Sequence, residues 1–144
     1  MLDNVIIEGL SLFPLTVYSD HRGSLMPFES GTNLPFPMRR FFCINVAEPG
    51  ITRAEHCSSA EELLVVLCGA VECDADNGVA TASVRLQPGA TALWVRPGVW
   101  IRLRDFLPNS VIGVMASLSH ADTRQQPAPN RIWLASALAQ SGPA

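Results

Sequence analysis

The sequence predicts an all-β fold, a sandwich or barrel, with one short helix near the C-terminus. Short apolar runs recur along the chain, and breakers rich in Gly, Pro and Asn separate many of them. Many short strands divided by turn signals are typical of sandwiches and barrels. The length of 144 residues and the apolar content of 48% fit a sizeable core. We therefore expect a single domain over residues 1–144, with its core at about 5–118 and a linker and short helix at 119–144.

The predicted strands follow the apolar runs in chain order. They lie at 5–7, 16–18, 25–28, 41–46, 63–67, 70–73, 82–86, 91–95, 100–103 and 111–117. The triplet Asp76-Asn77-Gly78 predicts a hairpin between two of them, because Asn-Gly tolerates the positive φ of a tight turn. A polar, Pro-broken linker at 125–129 precedes a helical pattern at 132–139, and residues 141–144 are expected to fray.

Composition excludes several classes of partner. The net charge is −3 and no basic stretch extends beyond Arg39-Arg40, so nucleic acid is not expected. No apolar run approaches the ~20 residues that cross a bilayer, and no secretory signal is recognisable, so we predict a cytoplasmic protein without a membrane partner. The chain has 4 cysteines without Cys-x-x-Cys spacing. They are expected to be buried free thiols.

A set of short motifs occurs in one order over about residues 8–122. The chain resembles the small sugar-nucleotide 3,4-ketoisomerases (WxcM-like), which are single-domain cupins. The resemblance rests on Asp20-x-Arg22-Gly23-Ser24-Leu25, Pro35-Phe36 followed by Arg40, Arg53…His56, Leu64-Val65-Val66-Leu67-x-Gly69, Pro97-Gly98-Val99-Trp100, Asp105-Phe106 and Met115-Ala116-Ser117.

The resemblance carries expectations about fold and reaction. It implies a cupin jelly-roll barrel, a homodimer, and a thymidine-diphospho 4-keto-6-deoxyhexose as the small-molecule substrate. It also implies proton transfer between C3 and C4 of the sugar without a metal.

The family motif Arg-Gly-x-His-Ala-His is incomplete in this chain. Aligned on Arg53, the first histidine is His56 and the second is replaced by Ser58. The histidine that follows the family's Val-Trp is Ile101 here, and the strand at 41–46 lacks the expected aromatic hydroxyl.

A second alignment, run backwards from Glu61 without a gap, places Glu55 and Cys57 at the histidine positions, with His56 between them. Either alignment leaves a single histidine. Metal cupins bind their ion through His, His and Glu of one motif and His of another. Because this chain offers only His56 and one of Glu61 or Glu62 as candidate ligands, the sequence predicts no metal site and no cofactor.

The candidate catalytic residues are His56, Glu55 and Glu62. An enediol isomerisation needs a base near neutrality and a group that stabilises the enediolate. The unperturbed pKa of histidine, ~6.5, suits His56. Either glutamate would suit if burial raised its pKa.

Arginines and one tryptophan are the candidate binding residues. Guanidinium groups bind diphosphate and enolate oxygens in a bidentate way, and an indole stacks on a base or sugar. We expect the pocket inside the barrel, with His56 at its centre and Arg22 and Arg53 on its wall. The full set of candidates is Arg22, Arg53, Arg96, Arg102, Arg104 and Trp100.

Each assignment has a structural alternative. His56 is equally consistent with a satisfied histidine at the barrel mouth, and Glu62 with a solvated strand start. Arg102 and Arg104 are equally consistent with the solvent-facing side of an amphipathic strand, and Trp100 with the core or the lining of the barrel. Cys57 is weighed as a nucleophile. The remaining histidines, His21 and His120, are expected in solvated turns.

Three functions stay open at this point. The first is a sugar-nucleotide ketoisomerase with a rearranged catalytic set. The second is a cupin tailoring enzyme (isomerase, cyclase or lyase) that acts on another small carbonyl substrate. The third is a non-catalytic metabolite-binding cupin. A 3,5-epimerase is disfavoured, because its His–Asp dyad has no counterpart here.

Overall fold

The computed structural model describes residues 4–140, which form strands and one C-terminal helix. The elements are β1 (Asn4–Ile7), β2 (Leu10–Pro14), β3 (Tyr18–Asp20), β4 (Gly23–Leu25), β5 (Arg40–Val46), β6 (Arg53–Ser58), β7 (Glu62–Cys68), β8 (Val71–Asp76), β9 (Thr81–Leu86), β10 (Thr91–Val95), β11 (Trp100–Arg104), β12 (Ser110–Ala116), β13 (Gln125–Gln126) and α1 (Arg131–Gln140).

Two antiparallel sheets form a sandwich. The larger sheet has 6 strands in the order β1-β2-β10-β7-β12-β5, and the smaller has 5 in the order β13-β6-β11-β8-β9. Strands β3 and β4 form a separate two-stranded hairpin. The prediction of an all-β sandwich with a short C-terminal helix is confirmed.

The main core lies between the two sheets. Leu10, Leu64, Leu93, Leu103 and Ile112 are almost fully buried members of it. Because successive strand residues face opposite sides, one side of β11 points into this core and the other points out of the sandwich. One end of the space between the sheets stays open, and the candidate site lies there.

Part of the outer face of the larger sheet is also covered. Leu63, Val65 and Met115 pack there against Phe36, with Phe28 and other residues of the segment 27–38 around them. This second cluster explains why four successive residues at the start of β7, 63–66, are all buried. A strand buried on both faces loses its polar alternation.

The helix α1 is held against the sandwich at defined points. The Asn130 side chain caps it, accepting hydrogen bonds from the N–H groups of Ile132 and Trp133 at 3.0 Å each. Leu134 is buried against the core. Arg96 donates from Nη2 to the Ala137 carbonyl at 3.0 Å. The helix therefore completes one side of the sandwich.

Several sequence predictions need correction. The strands predicted at 16–18 and 25–28 lie nearer to the turn at 21–22 than expected. They are β3 at Tyr18–Asp20 and β4 at Gly23–Leu25. Strands β2 and β6 were not predicted, because β2 ends at Pro14 and β6 is largely polar. The predicted hairpin at Asn77-Gly78 is present, but its loop is longer. The Asn77 carboxamide oxygen accepts from Val79 N and Ala80 N at 2.9 and 2.8 Å.

The cysteines are free, as expected, but only half of them are buried. Cys57 and Cys73 lie in the interior, whereas Cys43 and Cys68 are exposed. The prediction of burial is thus wrong for Cys43, which lies in β5, and for Cys68, which ends β7 at the rim of its sheet.

No helix within residues 4–140 is long and apolar enough to cross a membrane. Residues 141–144, for which fraying was expected, lie outside the described residues.

Candidate functional site

A cavity of about 180 Å³ opens between the two sheets. Strands β5, β6, β7, β11 and β12 form its walls, and the connection from β12 to β13 forms its rim. Its lining combines an apolar floor with a small number of ionisable groups, which is typical of small-molecule sites. The lining residues are Arg40, Phe42, Ile44, Arg53, Ala54, His56, Glu62, Leu64, Ile101, Leu103, Val114, His120 and Gln125.

A bulge in β6 brings Arg53 and His56 to the same cavity. Regular alternation would place residues three apart on opposite faces. Here His56 pairs with Ile101 and Ala54 with Arg102, so Glu55 is an extra residue in β6. Ala54 and Glu55 have φ values of 69° and 65°, a left-handed conformation that is uncommon outside glycine.

His56 is half-buried beside an apolar neighbour. Its cross-strand partner is Ile101, the position at which the family motif has another histidine. Its Nδ1 atom is buried and has no hydrogen-bond partner within residues 4–140. Burial lowers the pKa of His56 below its usual 6.5. The imidazole is therefore neutral at pH 7 and available as a proton acceptor.

Glu62 begins β7 on the same cavity wall. Burial raises its pKa from 4.5 to about 7, although the positive charge of Arg40 opposes the rise. A carboxyl group with a pKa near 7 exchanges protons readily at neutral pH. Of the two predicted catalytic glutamates, Glu62 is the one that lines the cavity.

Two arginines supply positive charge to the cavity. Arg40 begins β5, and its guanidinium carbon lies 4.3 Å from the centre of the Phe42 ring. Arg53 begins β6 and is exposed at the rim. Among the described residues neither forms an ion pair with a carboxylate of the chain. Both guanidinium groups are therefore free to bind an anionic ligand.

Glu55 and Arg22 lie away from the cavity. Glu55 is exposed and accepts a hydrogen bond from the Thr52 hydroxyl at 2.9 Å. Arg22 lies at the β3–β4 turn, its side chain is 79% exposed, and it forms an ion pair with Asp20 at 2.6 Å. Glu55 is the extra residue of the bulge and its side chain lies outside the cavity. Arg22 belongs to the separate β3–β4 hairpin, which is not part of either sheet of the sandwich. The expectation that Arg22 lies on the cavity wall is therefore corrected.

Trp100 and Arg102 also need correction, because both lie on the outer face of the smaller sheet. Arg102 and Arg104 bind Asp74 of β8 at 2.8 and 2.6 Å, and these arginines hold the Asp74 pKa well below its usual range. Trp100 stacks with Arg102, 5.9 Å from ring centre to guanidinium carbon. Their neighbours Ile101 and Leu103 face the cavity instead. The geometry supports the alternative in which Arg102 and Arg104 form the solvent-facing side of β11.

Two further sequence candidates have structural roles. The Arg96 Nε atom lies 2.7 Å from a Glu61 carboxylate oxygen, to which the Trp94 indole also donates at 2.8 Å. Cys57 faces away from the cavity and donates from Sγ to the Ala128 carbonyl at 3.1 Å. Burial raises the pKa of its thiol, which disfavours a nucleophilic role.

Sequence reasoning did not assign His120 and Gln125 to the site. His120 is exposed as expected, but it lies on the cavity rim together with Gln125. Both follow the last long strand, and the chain reaches the rim only because β13 pairs with β6. No local pattern in the sequence encodes that return.

Within residues 4–140 no group of three His, Cys, Asp or Glu side chains is arranged to hold a metal ion. The Ser58 hydroxyl, at one candidate position of the missing histidine, accepts a hydrogen bond from Ala60 N at 3.0 Å. The ionisable groups of the cavity are thus suited to proton transfer and anion binding.

Comparison with known proteins identifies relatives of this chain. A model of the family described as FdtA: WxcM-like, C-terminal matches residues 8–124. The TDP-4-oxo-6-deoxy-α-D-glucose-3,4-oxoisomerase of Aneurinibacillus thermoaerophilus is 32% identical over 105 residues, which are 72% of this chain and 76% of that protein.

Solved structures share the fold. The sugar 3,4-ketoisomerase QdtA of Thermoanaerobacterium thermosaccharolyticum, in complex with TDP, matches with a TM-score of 0.76 at 22% identity, over 94% of this chain and 99% of that one. A variant of the same enzyme in complex with TDP-4-keto-6-deoxyglucose gives a TM-score of 0.75 at 22% identity, over 96% and 100% of the two chains. These matches confirm the cupin architecture.

Proposed function

From its membership of the FdtA (WxcM-like, C-terminal) family, to which this chain belongs, we propose that it is a metal-independent sugar-nucleotide 3,4-ketoisomerase. Its substrate is a TDP-4-keto-6-deoxyhexose or a close analogue, as the name of the oxoisomerase relative suggests. The observation that carries the proposal is that one cavity is lined by both His56 and Glu62, whose pKa is about 7. Arg40 and Arg53 line the same cavity and form no ion pair within residues 4–140.

The reaction moves a carbonyl between neighbouring carbons through an enediol. A base removes the proton from C3, and the C4 carbonyl oxygen takes up a proton. The C3 hydroxyl then loses its proton as C3 becomes the carbonyl, and C4 gains a proton. Atoms and electrons balance without an external oxidant or reductant.

The cavity offers a residue for each part of this sequence. The neutral imidazole of His56 takes the carbon proton from C3 and returns it to C4. Glu62, protonated in part at neutral pH, delivers a proton to one sugar oxygen and recovers it from the other. Arg40 and Arg53 stabilise the enediolate and the diphosphate by charge.

The volume of the cavity indicates which part of the sugar nucleotide it holds. About 180 Å³ is room for a hexose ring and little more. The nucleoside diphosphate therefore lies outside the cavity, past the rim where Arg53 and His120 are exposed.

The proposal is tested with TDP-4-keto-6-deoxyglucose in deuterated water. NMR follows deuterium uptake at C3 and formation of the 3-keto product. We expect turnover by the native protein, undiminished after chelation of metals. His56→Gln should lower it by about 10²–10⁴-fold, the usual worth of a positioned base. His21→Gln, a matched change in an exposed turn, should leave the turnover unchanged. A native protein that shows neither exchange nor product is not a ketoisomerase.

A second candidate is favoured by one observation, the replacement of the motif's second histidine. In that case the cavity holds another small carbonyl compound, either for a tailoring reaction (isomerase, cyclase or lyase) or for binding alone. Calorimetry with TDP and with the sugar nucleotide separates the two cases. Tight binding of the sugar nucleotide without proton exchange would indicate a binding protein, and absence of binding would indicate a different substrate.

A further inference from the structure

A second cleft, of about 300 Å³, lies between α1 and the start of β7. It shares no lining residue with the cavity that contains His56. Its helix-borne residues Trp133, Ser136 and Gln140 lie beyond the segment that matches the family, which ends at residue 124. The cleft is therefore formed in part by residues outside the segment that the family model matches.

Arg124 is the charged group on the wall of this cleft. Its guanidinium carbon lies 5.2 Å from the centre of the Trp133 ring, a cation–π distance that restricts where the cation can point. Within residues 4–140 the guanidinium donates to no carboxylate or carbonyl oxygen. A pre-oriented guanidinium without an acceptor retains its full capacity for a bidentate ligand.

Two serine hydroxyls beside Arg124 have donor hydrogens to spare. The Ser59 oxygen accepts a hydrogen bond from Arg124 N at 2.8 Å. The Ser117 oxygen accepts one from Glu61 N at 2.9 Å. A hydroxyl has one hydrogen to donate, and neither hydrogen has an acceptor in the described part of the chain. Both oxygens are fixed by the backbone, so both O–H groups are held ready for a ligand.

The acidic group of the cleft, Glu61, already has a charged partner, and both of its contacts are made through Oε1. Glu61 lies 2.7 Å from the Arg96 guanidinium and accepts from the Trp94 indole at 2.8 Å. Its negative charge is thus compensated, and it does not compete for Arg124. What the cleft has left to offer is hydrogen-bond donors and one positive charge.

We propose that this cleft is a separate binding site for a phosphate-type oxyanion, either a free ion or a phosphate ester. Arg124 binds two of its oxygens, and the Ser59 and Ser117 hydroxyls donate to the others. Ser136 and Gln140 of α1 close the opposite side of the cleft. An oxyanion with several acceptor oxygens is the ligand that matches this surplus of donors.

The test is a titration of the full-length protein with inorganic phosphate at constant ionic strength. Calorimetry gives the affinity, and the indole ¹H–¹⁵N signals of the 3 tryptophans report the location. We expect saturable binding that shifts the Trp133 indole signal. Arg124→Gln should weaken it by about ten- to hundredfold, the worth of charge-assisted hydrogen bonds. Ser117→Ala should weaken it to a smaller extent.

Arg85→Gln is the matched control, since it removes the same charge on the outer face of the smaller sheet and should leave the affinity unchanged. Absence of saturation, an unaffected Arg124→Gln variant with a native far-UV CD spectrum, or an unmoved Trp133 signal would each overturn the proposal. A parallel titration with TDP distinguishes the sources of the anion. If TDP displaces phosphate and Arg124→Gln weakens both equally, the cleft is part of the nucleotide site and the proposal of a separate site is wrong.

Discussion

At the scale of single residues, burial of Glu62 affects both the proposed proton transfer and the stability of the fold. Its pKa of about 7 has a cost in stability, since the folded protein favours the protonated form while the unfolded chain ionises near 4.5. The native state therefore binds more protons between these values, and stability falls as pH rises through that window. Above about pH 7 the full loss of folding stability is present.

Glu62→Gln should reveal both properties in one variant. Turnover should fall by about 10²–10⁴-fold because a proton-transfer group is lost. In the native protein, kcat/KM should decline above about pH 7 as Glu62 ionises, and this limb should vanish in the variant. The variant should gain more in melting temperature, relative to the native protein, at pH 8 than at pH 5. Equal gains at both pH values would contradict the raised pKa, and Glu48→Gln, an exposed change, is the control.

Ala54 holds a conformation that a glycine adopts more easily. Its φ of 69° belongs to the left-handed region, which costs an L-residue about 1–2 kcal/mol. Ala54→Gly should stabilise the fold by about 0.5–1 kcal/mol, after the added entropy of the unfolded chain is subtracted. Urea unfolding measures this. Ala82→Gly in β9 should destabilise by a similar amount, and a loss of stability in both variants would contradict the bulge.

The residues that sequence reasoning placed correctly are those whose role depends on one strand alone. His56, Glu62 and Arg53 line the cavity as expected, since each begins or lies in a strand that borders the open end of the sandwich. Trp100 and Arg102 were misplaced because alternation in β11 fixes two faces but does not say which one is inside. The bulge at Glu55 has no signature in residue types, so the placement of Arg53 and His56 on one face could be seen only from the strand register.

At the scale of elements, the attachment of α1 depends on Gly98. Its φ is 85°, and a Cβ there would overlap the carbonyl oxygen of Asn130 and lie 2.9 Å from Leu134 N. The glycine N–H donates to the Ser58 carbonyl, and its own carbonyl accepts from Asn130 N. The close approach of backbone to backbone leaves no room for any side chain.

Gly98→Ala should therefore destabilise the protein by about 2–4 kcal/mol, the sum of left-handed strain and displacement of the helix start. Gly89→Ala is the matched control, because no atom lies within 4 Å of the added Cβ and its φ is not positive. That variant should be neutral or slightly more stable. Thermal unfolding of both decides the point, and equal midpoints would show that α1 is not anchored there.

Elements with strong apolar runs were predictable to within a residue or two, as β5, β7 and β10 show. The polar strand β6 was not, because Arg53 and Glu55 are exposed, His56 borders the cavity, and a bulge interrupts the alternation of the strand. Nor was the two-residue strand β13, which forms only through its pairing with Cys57 and Ser58. Such elements owe their conformation to partners distant in sequence.

At the scale of the whole molecule, the surface of the chain contains an uncovered hairpin. Tyr18 and Leu25 form a cross-strand pair in the β3–β4 hairpin and are 63% and 61% exposed. An isolated two-stranded hairpin is marginally stable in water. The edge strand β1 carries Val5, which is 70% exposed. Apolar groups at a sheet edge and on a protruding hairpin are features that a second copy of the chain would cover.

We therefore propose that the protein is a homodimer in which this hairpin packs against the partner. Sedimentation velocity should show a dimer for the native chain over a wide concentration range. Replacing both exposed residues, Tyr18→Ser with Leu25→Ser, removes the apolar pair without touching the core and should shift the protein to monomer with an unchanged far-UV CD spectrum. Val79→Ser, at another exposed apolar side chain in the β8–β9 turn, should remain dimeric. A native chain that sediments as a monomer at all concentrations would refute the dimer. A dimer that survives the double substitution would place the interface elsewhere, with the exposed pair Phe41 and Leu67 on the outer face of the larger sheet as the next surface to change.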